Sequence, residues 1–138
     1  MMIASVSDEH YLLDTSAVLT FLEDKDGAQR VEEIIRAGQA IIPFLALLET
    51  YYISLQETTE AIAEKRYALL KQLPARFLYD VDEPTLLTAG RFKARHRLSL
   101  ADALIAAFAV REGAILVHKD PEFESLSKQV KQETLPYK

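Results

Sequence analysis

The chain has 138 residues, a net charge of −5, 49% hydrophobic residues and no cysteine. This length and composition are typical of one soluble globular domain with its own core, and the missing cysteine excludes disulfides and thiolate metal sites. No apolar run reaches the roughly 18 residues that a membrane span requires, and the negative charge argues against a protein that coats nucleic acid by bulk electrostatics.

The first residues lack the basic and apolar segments of a secretory signal peptide. Together with the missing cysteine, which suits a reducing interior, this favours a cytoplasmic protein with no membrane partner. We expect residues 1–9 to be loosely packed and residues 1–138 to form a single domain.

Short apolar and β-branched runs predict the strands, and apolar residues at helical spacing predict the helices. The predicted strands lie at residues 11–14, 40–42, 77–79 and 114–117, with a candidate fifth edge strand at 130–135. The predicted helices lie at residues 17–22, 28–37, 44–56, 59–73, 83–96 and 99–112. Asp26 is predicted to cap the second helix. Because helices separate the strands, the pattern predicts a three-layer α/β/α sandwich with a central, mainly parallel sheet of four to five strands.

An acid and two hydroxyls follow the first predicted strand. Asp14, Thr15 and Ser16 come directly after the apolar run Tyr11-Leu12-Leu13. The carboxyl end of a buried parallel strand is where open α/β sheets bind their ligands, which favours a functional site at Asp14. The alternative is that Asp14 and Ser16 only cap the following helix, since both residue types are common N-caps.

Three more acids occupy comparable positions. Glu49 has mostly apolar helical neighbours, so its carboxylate needs a partner unless the helix turns it to solvent. Asp102 lies in the first turn of a helix that is apolar all round, where the spacing from Ser99 also fits a capping box. Asp120 follows the fourth predicted strand, where the alternative is an ordinary turn before Pro121. If the strands are adjacent, all four acids converge at the carboxyl edge of the sheet.

Four carboxylates in one cleft repel one another and are difficult to keep ionised together. Divalent cations relieve this repulsion. Ligation by oxygen alone, without His or Cys, indicates Mg²⁺ or Mn²⁺ rather than Zn²⁺. Such a cluster suits phosphodiester hydrolysis, because a bound metal lowers the pKa of the attacking water and stabilises the leaving oxygen.

The four acidic motifs, in this order, resemble those of the PIN domain, a family of metal-dependent nucleases that includes the VapC-type toxins of bacterial toxin–antitoxin pairs. Residues 13–16 resemble the opening motif of the family, and Glu49 stands at its helical acid position. Residues 99–103 resemble the third acidic motif and residues 117–123 the fourth. The resemblance extends over residues 12–135.

This resemblance implies an endoribonuclease that uses Mg²⁺ or Mn²⁺. The implied catalytic metal ligands are Asp14, Glu49, Asp102 and Asp120. Ser16 would orient water or the first of these acids, and Thr15 and His118 are candidates for supporting hydrogen bonds. His118 departs from the family pattern, which usually has Thr or Ser two residues before the last acid. The alternative is that His118 is an ordinary surface residue.

The densest basic stretch precedes the Asp102 helix. It contains Arg91, Lys93, Arg95 and Arg97. If RNA is the substrate, these side chains would contact its phosphates. The alternative is that they complement the dipole at the end of the preceding helix.

The helices predicted at residues 44–56 and 59–73 have more apolar side chains than a small sheet requires. The resemblance suggests that this region forms an antitoxin groove and a homodimer face, whereas the alternative for each residue is the core. Two other readings of the whole chain stay open. One is a non-catalytic RNA-binding or interaction module. The other is a phosphatase with Asp14 as nucleophile, although such enzymes usually have a second acid where Ser16 stands.

Overall fold

A computed structural model describes residues 9–137 of the protein. The strands are Tyr11–Leu13 (β1), Ala40–Pro43 (β2), Arg76–Leu78 (β3), Ile115–His118 (β4) and Gln132–Thr134 (β5). The helices are Thr15–Leu22 (α1), Ala28–Arg36 (α2), Phe44–Glu57 (α3), Glu60–Lys71 (α4), Glu83–Arg95 (α5) and Leu100–Glu112 (α6), and a 3₁₀ helix spans Pro121–Leu126. The prediction of loose packing at the N-terminus falls on residues 1–8, outside the described residues, and on the exposed Glu9.

The five strands form one parallel sheet in the order β3-β2-β1-β4-β5. From β1 the chain passes to β2 and β3 on one side and then crosses to β4 and β5 on the other. The carboxyl ends of β1 and β4 therefore border the position where the strand order reverses, which is the ligand-binding crevice of doubly wound sheets. The predicted fold class is confirmed, and the fifth strand is present.

Both faces of the sheet are covered, which explains why the central strands are apolar without alternation. Leu12 and its neighbours Ile41 and Leu116 pack on one face against α5, α6 and the 3₁₀ helix. The next residue, Leu13, packs on the other face with Ile42 and the helices α1 to α4. The alternating direction of side chains along a strand thus divides one short apolar run between two cores.

One local prediction is wrong, and one short helix was not predicted. Gly27, rather than Asp26, is the N-cap of α2, and it has a φ of 101° that residues with a side chain rarely adopt. A Cβ at Gly27 would lie 3.2 Å from Cβ of Leu135, so a close approach of the C-terminal segment requires glycine there. The 3₁₀ helix after Asp120 was also not predicted from the pattern.

The helices α5 and α6 form an antiparallel pair whose loop lies at the carboxyl edge of the sheet. Arg111, at the end of α6, donates from Nη1 to the Asp80 carbonyl (3.0 Å) and pairs with Asp82, the N-cap of α5. These contacts fix the start of α5 beside the end of α6. Because both helices have 13 residues, the end of α5 at Arg95 lies beside the start of α6.

Over residues 9–137, none of the helices combines the length and the apolar character that crossing a bilayer would require.

Candidate metal centre

Asp14 lies at the junction of β1 and α1 and is 2% exposed. Its Oδ1 accepts a hydrogen bond from the backbone N–H of Ala17 (2.8 Å), so Asp14 is the N-cap of α1. The capping reading is therefore correct for Asp14, but a cap occupies only part of the capacity of a carboxylate, which has about four acceptor sites. The remaining capacity leaves Asp14 able to bind a cation.

Ser16 connects the ends of the two strands that border the crevice. Its Oγ lies 2.7 Å from Oδ1 and 2.9 Å from Oδ2 of Asp14, to which it donates its single proton. The same oxygen accepts the backbone N–H of Lys119, just past β4, at 2.8 Å. Ser16 thus holds the Asp14 carboxylate against the segment that leads to Asp120.

Glu49 lies on α3 and is directed at the end of β1 rather than to open solvent. Thr15 donates from Oγ1 to its Oε1 at 2.5 Å. Glu49 is half-buried, and its charge acts on both Asp14 and Asp102. The hydrogen bond from Thr15 orients the Glu49 carboxylate.

Asp102 lies in the first turn of α6, and its backbone N–H donates to Oγ of Ser99 (3.0 Å). Among the described residues, the carboxylate of Asp102 accepts no bond from the backbone N–H of Ser99, so the capping box is only half formed. The carboxylate instead lies within hydrogen-bonding reach of Asp120. Asp102 is therefore available to the site.

A fifth acid joins the cluster. Oxygens of Asp102, Asp120 and Glu122 lie within 4.8 Å of one another, a spacing that a single cation could bridge. Asp120 begins the 3₁₀ helix, and its Oδ1 accepts the backbone N–H of Glu122 (2.9 Å). Glu122 was missed because it is exposed and its Asp-x-Glu spacing acquires meaning only in this tight turn. Asp14 and Glu49 lie outside this closest group.

Burial raises the pKa of Asp14 from 3.8 to about 7, and the charges of Asp120 and Glu49 add to this increase. The hydrogen bonds from Ser16 and Ala17 oppose it. Burial, followed by the charges of Asp120, Asp14 and Glu49, raises the pKa of Asp102 in the same direction. The site therefore needs a positive charge to hold its carboxylates ionised, and its all-oxygen donors fit Mg²⁺ or Mn²⁺.

His118 is the last residue of β4 and is completely buried, so the reading as a surface residue is wrong. Its ring lies 4.9 Å from the Phe123 ring, centroid to centroid. Nδ1 accepts the backbone N–H of Asp120 (3.1 Å), and Nε2 lies 2.8 Å from Oε1 of Gln132 on β5. Burial lowers the pKa of His118, which favours the neutral ring.

The four side chains of the basic stretch are all exposed. Arg91 donates weakly to Thr88 (3.4 Å), and over residues 9–137 none of the four forms an ion pair. Lys93 and Arg95 lie in the last turn of α5, where they also complement the helix dipole. The antiparallel α5–α6 pair places this stretch at the same edge of the sheet as Asp102.

The paired helices α3 and α4 leave an apolar surface beside Glu49. The two helices expose the apolar side chains Leu48, Tyr52, Leu55, Ile62, Tyr67 and Leu69. Of these, Leu48 and Tyr67 line one common groove, which we call the α3–α4 face. This groove has a volume of about 500 Å³ and opens between Phe44, Leu48 and Tyr67. Leu70, by contrast, is 1% exposed and belongs to the core.

The fold and the site define a class of protein: a doubly wound, all-parallel α/β domain with a carboxylate cluster at its topological switch point. The sequence model of the PIN domain matches residues 11–129, and the chain belongs to the PIN domain family. The resemblance found in the sequence is thereby confirmed. No curated protein sequence matches the chain.

Solved structures of toxin–antitoxin proteins share the fold. A chain of VapBC2 from Rickettsia felis bound to a promoter DNA fragment has a TM-score of 0.75 and 15% identity, covering 91% of this chain and 98% of that one. VapBC from Salmonella typhimurium bound to DNA has a TM-score of 0.71 and 18% identity, with coverages of 91% and 98%. VapC20 from Mycobacterium tuberculosis, a Sarcin-Ricin loop cleaving toxin, has a TM-score of 0.68 and 16% identity, with coverages of 91% and 99%.

Proposed function

We propose that the protein is a divalent-metal-dependent endoribonuclease, acting in the cytoplasm as the toxin of a toxin–antitoxin pair. The observation that carries this proposal is the carboxylate cluster at the switch point, where Asp102 and Asp120 lie close enough to share a cation. The raised pKa values of Asp14 and Asp102 support it, because strongly shifted pKa values cluster at functional sites. A metal ion would offset the repulsion among several negative carboxylates that lie close together. Family membership supports the reaction class.

Each residue of the site has a role in this mechanism. Asp14, Glu49, Asp102 and Asp120 would hold Mg²⁺ or Mn²⁺, with Glu122 as an additional oxygen donor. A bound metal supplies an acidified water for attack on phosphorus and charge stabilisation for the leaving oxygen. Ser16 and Thr15 hold the carboxylates of Asp14 and Glu49 in place through their hydroxyls, so that little rearrangement is needed when metal and RNA bind.

The experiment that tests the proposal is cleavage of RNA by the purified protein with Mg²⁺, with Mn²⁺ and with a chelator, beside calorimetric titration of Mn²⁺. We expect cleavage with either metal and none with the chelator, and loss of both binding and cleavage in Asp102→Asn. The matched control is Asp80→Asn, an exposed acid in the segment between β3 and α5 that is not part of the acid cluster, which should behave as the wild type. Absence of both Mn²⁺ binding and cleavage would favour a non-catalytic interaction module. A phosphoaspartate at Asp14 would favour the phosphatase.

The basic stretch is the proposed contact for RNA phosphates. We expect Arg95→Gln/Arg97→Gln to raise KM with little change in kcat, because removing phosphate contacts weakens binding of substrate and transition state alike. The slope of log affinity against log salt should fall by about 1 to 1.5, at roughly 0.7 per contact with single-stranded RNA. Cleavage kinetics at several salt concentrations measure both quantities.

The control for this charge removal is Arg36→Gln. Arg36 is an exposed cation at the end of α2, on the opposite edge of the sheet from the acids. If Arg36→Gln changes KM and the salt slope as much as the double variant does, the effect comes from total charge and the basic stretch is not the contact.

An antitoxin is the proposed protein partner, and homodimer formation stays a prediction. VapBC-5 from Mycobacterium tuberculosis, which shares this fold, is described as a member of a family of toxin–antitoxin systems, and this supports a partner of that kind. The α3–α4 face is the surface where we place it, because this groove is lined mainly by apolar side chains and one of them, Leu48, directly precedes Glu49. A basic side chain of the partner could then neutralise the acids while apolar side chains cover the face.

A further inference from the structure

A chain of hydrogen bonds runs from the C-terminal strand to the backbone of Asp120. Gln132 on β5 donates from Nε2 to the Phe123 carbonyl (2.8 Å). The Oε1 atom of Gln132 lies 2.8 Å from Nε2 of His118, and Nδ1 of His118 lies 3.1 Å from the backbone nitrogen of Asp120. Both ends of the chain lie on the short loop that holds the acid.

The backbone groups at the two ends determine the direction of every bond between them. The Phe123 carbonyl can only accept, so Gln132 presents its amide nitrogen to that carbonyl and its oxygen to His118. The backbone N–H of Asp120 can only donate, so Nδ1 of His118 is unprotonated and Nε2 bears the proton. Each donor in the chain thus meets one acceptor, and a single neutral tautomer of His118 satisfies all three bonds.

We infer that His118 and Gln132 are positioning residues for Asp120, and that the C-terminal strand takes part in forming the metal centre through them. This inference rests on the proposed function, since Asp120 is one of the proposed ligands. His118 is fully buried between β4 and the Phe123 ring, so it provides a rigid support for the loop. Gln132 selects the tautomer that can hold the Asp120 backbone.

Three substitutions separate positioning from simple packing. His118→Asn keeps an acceptor near the place of Nδ1, because the Asn Oδ1 atom is at a similar distance along the side chain. His118→Leu fills much of the same volume but has no acceptor. Gln132→Leu leaves His118 in place but removes the partner that selects its tautomer. The matched control is Glu133→Gln at the next residue of β5, which loses an ion pair with Arg30. In the described part of the chain, the Glu133 side chain forms its hydrogen bonds with Arg30 and none with the His118 ring.

The measurements are amide hydrogen exchange of Asp120, ring nitrogen spectra of His118 and calorimetric Mn²⁺ affinity, on proteins shown by circular dichroism to be folded. We expect His118→Leu and Gln132→Leu to lose protection of the Asp120 amide and to bind Mn²⁺ about 10- to 100-fold more weakly. His118→Asn should retain both properties to a large extent, and Glu133→Gln should retain both fully.

Two results would overturn the inference. One is an Asp120 amide that stays equally protected in all variants. The other is a His118→Asn variant as impaired as His118→Leu, which would indicate packing alone. If the wild type itself neither binds Mn²⁺ nor cleaves RNA, the proposed function fails, whereas the exchange and ring measurements on the metal-free protein still decide the positioning role. If His118→Leu does not fold, Gln132→Leu provides the same comparison.

Discussion

Asp14→Asn is expected to abolish most RNA cleavage while making the metal-free protein more stable. The amide keeps the oxygen that accepts the Ala17 N–H, so the N-cap of α1 survives. The substitution also removes a carboxylate, and burial raises the pKa of this carboxylate to about 7. The free-energy cost of ionising a buried acid at neutral pH is therefore lost as well. We expect cleavage to fall at least about 10²- to 10³-fold, and the free energy of unfolding at pH 8 to rise by about 2–4 kcal/mol.

Single-turnover cleavage and urea unfolding in the presence of a chelator measure the two effects on the same preparations. Asp80→Asn is the matched control, since it makes the same chemical change at an exposed side chain and should alter neither quantity. If Asp14→Asn instead lowers the free energy of unfolding, ionisation of the Asp14 carboxylate does not destabilise the folded protein. Asp14 would then act mainly as a helix cap, and the inference that the site needs a cation to keep its carboxylates ionised would be wrong.

The strands and helices of this protein could be predicted from sequence wherever a local pattern is compatible with a single type of secondary structure. The apolar runs before Asp14 and Asp120 become β1 and β4. Asp14 follows β1 directly, and Asp120 follows β4 after one residue. Helical spacing also located α3 and α6, and therefore Glu49 and Asp102. Asp14 and Asp120 could be assigned to one edge from sequence because parallel strands end at the same edge of a sheet, whereas the convergence of all four acids depended on strands whose adjacency the sequence left open.

The features that the sequence did not predict depend on contacts between distant segments. His118 was weighed as a surface residue because its burial comes from pairing with β5 and from Gln132, 14 residues further along. The N-cap of α2 is Gly27 rather than the predicted Asp26, and the close approach of Leu135 to this glycine is a contact with the far end of the chain. No local pattern around His118 or Gly27 contains this information.

The location of the basic stretch is a further case. Helical periodicity predicts α5 and α6. It does not predict whether the end of α5, at Arg95, lies beside the acids or at the far edge of the sheet. The bonds from Arg111 to Asp80 and Asp82 decide this, because they fix the opposite ends of the two helices together. Glu122 likewise joins the site only through the 3₁₀ helix, which is a weak signal in sequence.

Metal-free protein is expected to lose stability as the pH rises from 6.5 to 8. The folded-state pKa of Asp14 is raised from 3.8 to about 7, so in this range the folded state binds more protons than the unfolded state, and stability falls with increasing pH. Asp102 acts in the same direction. His118, whose pKa is lowered, contributes an opposite trend that lies mostly below its ordinary pKa of 6.5 and ends about one pH unit above it. The expected decrease from pH 6.5 to 8 is about 1–2 kcal/mol.

Divalent metal should reverse this loss, because a cation replaces the protons that neutralise the acids. Mn²⁺ at about 100 times its Kd should stabilise the folded protein by about 3 kcal/mol at pH 8, and by less at pH 6.5, where protons compete. Urea midpoints at both pH values, with chelator and with Mn²⁺, measure the effect. The double variant Asp14→Asn/Asp102→Asn should show a flat pH profile and no response to Mn²⁺. If the stability of the metal-free wild type rises between pH 6.5 and 8, ionisation of these carboxylates does not destabilise the fold. The main electrostatic reason for placing a cation among them would then be lost.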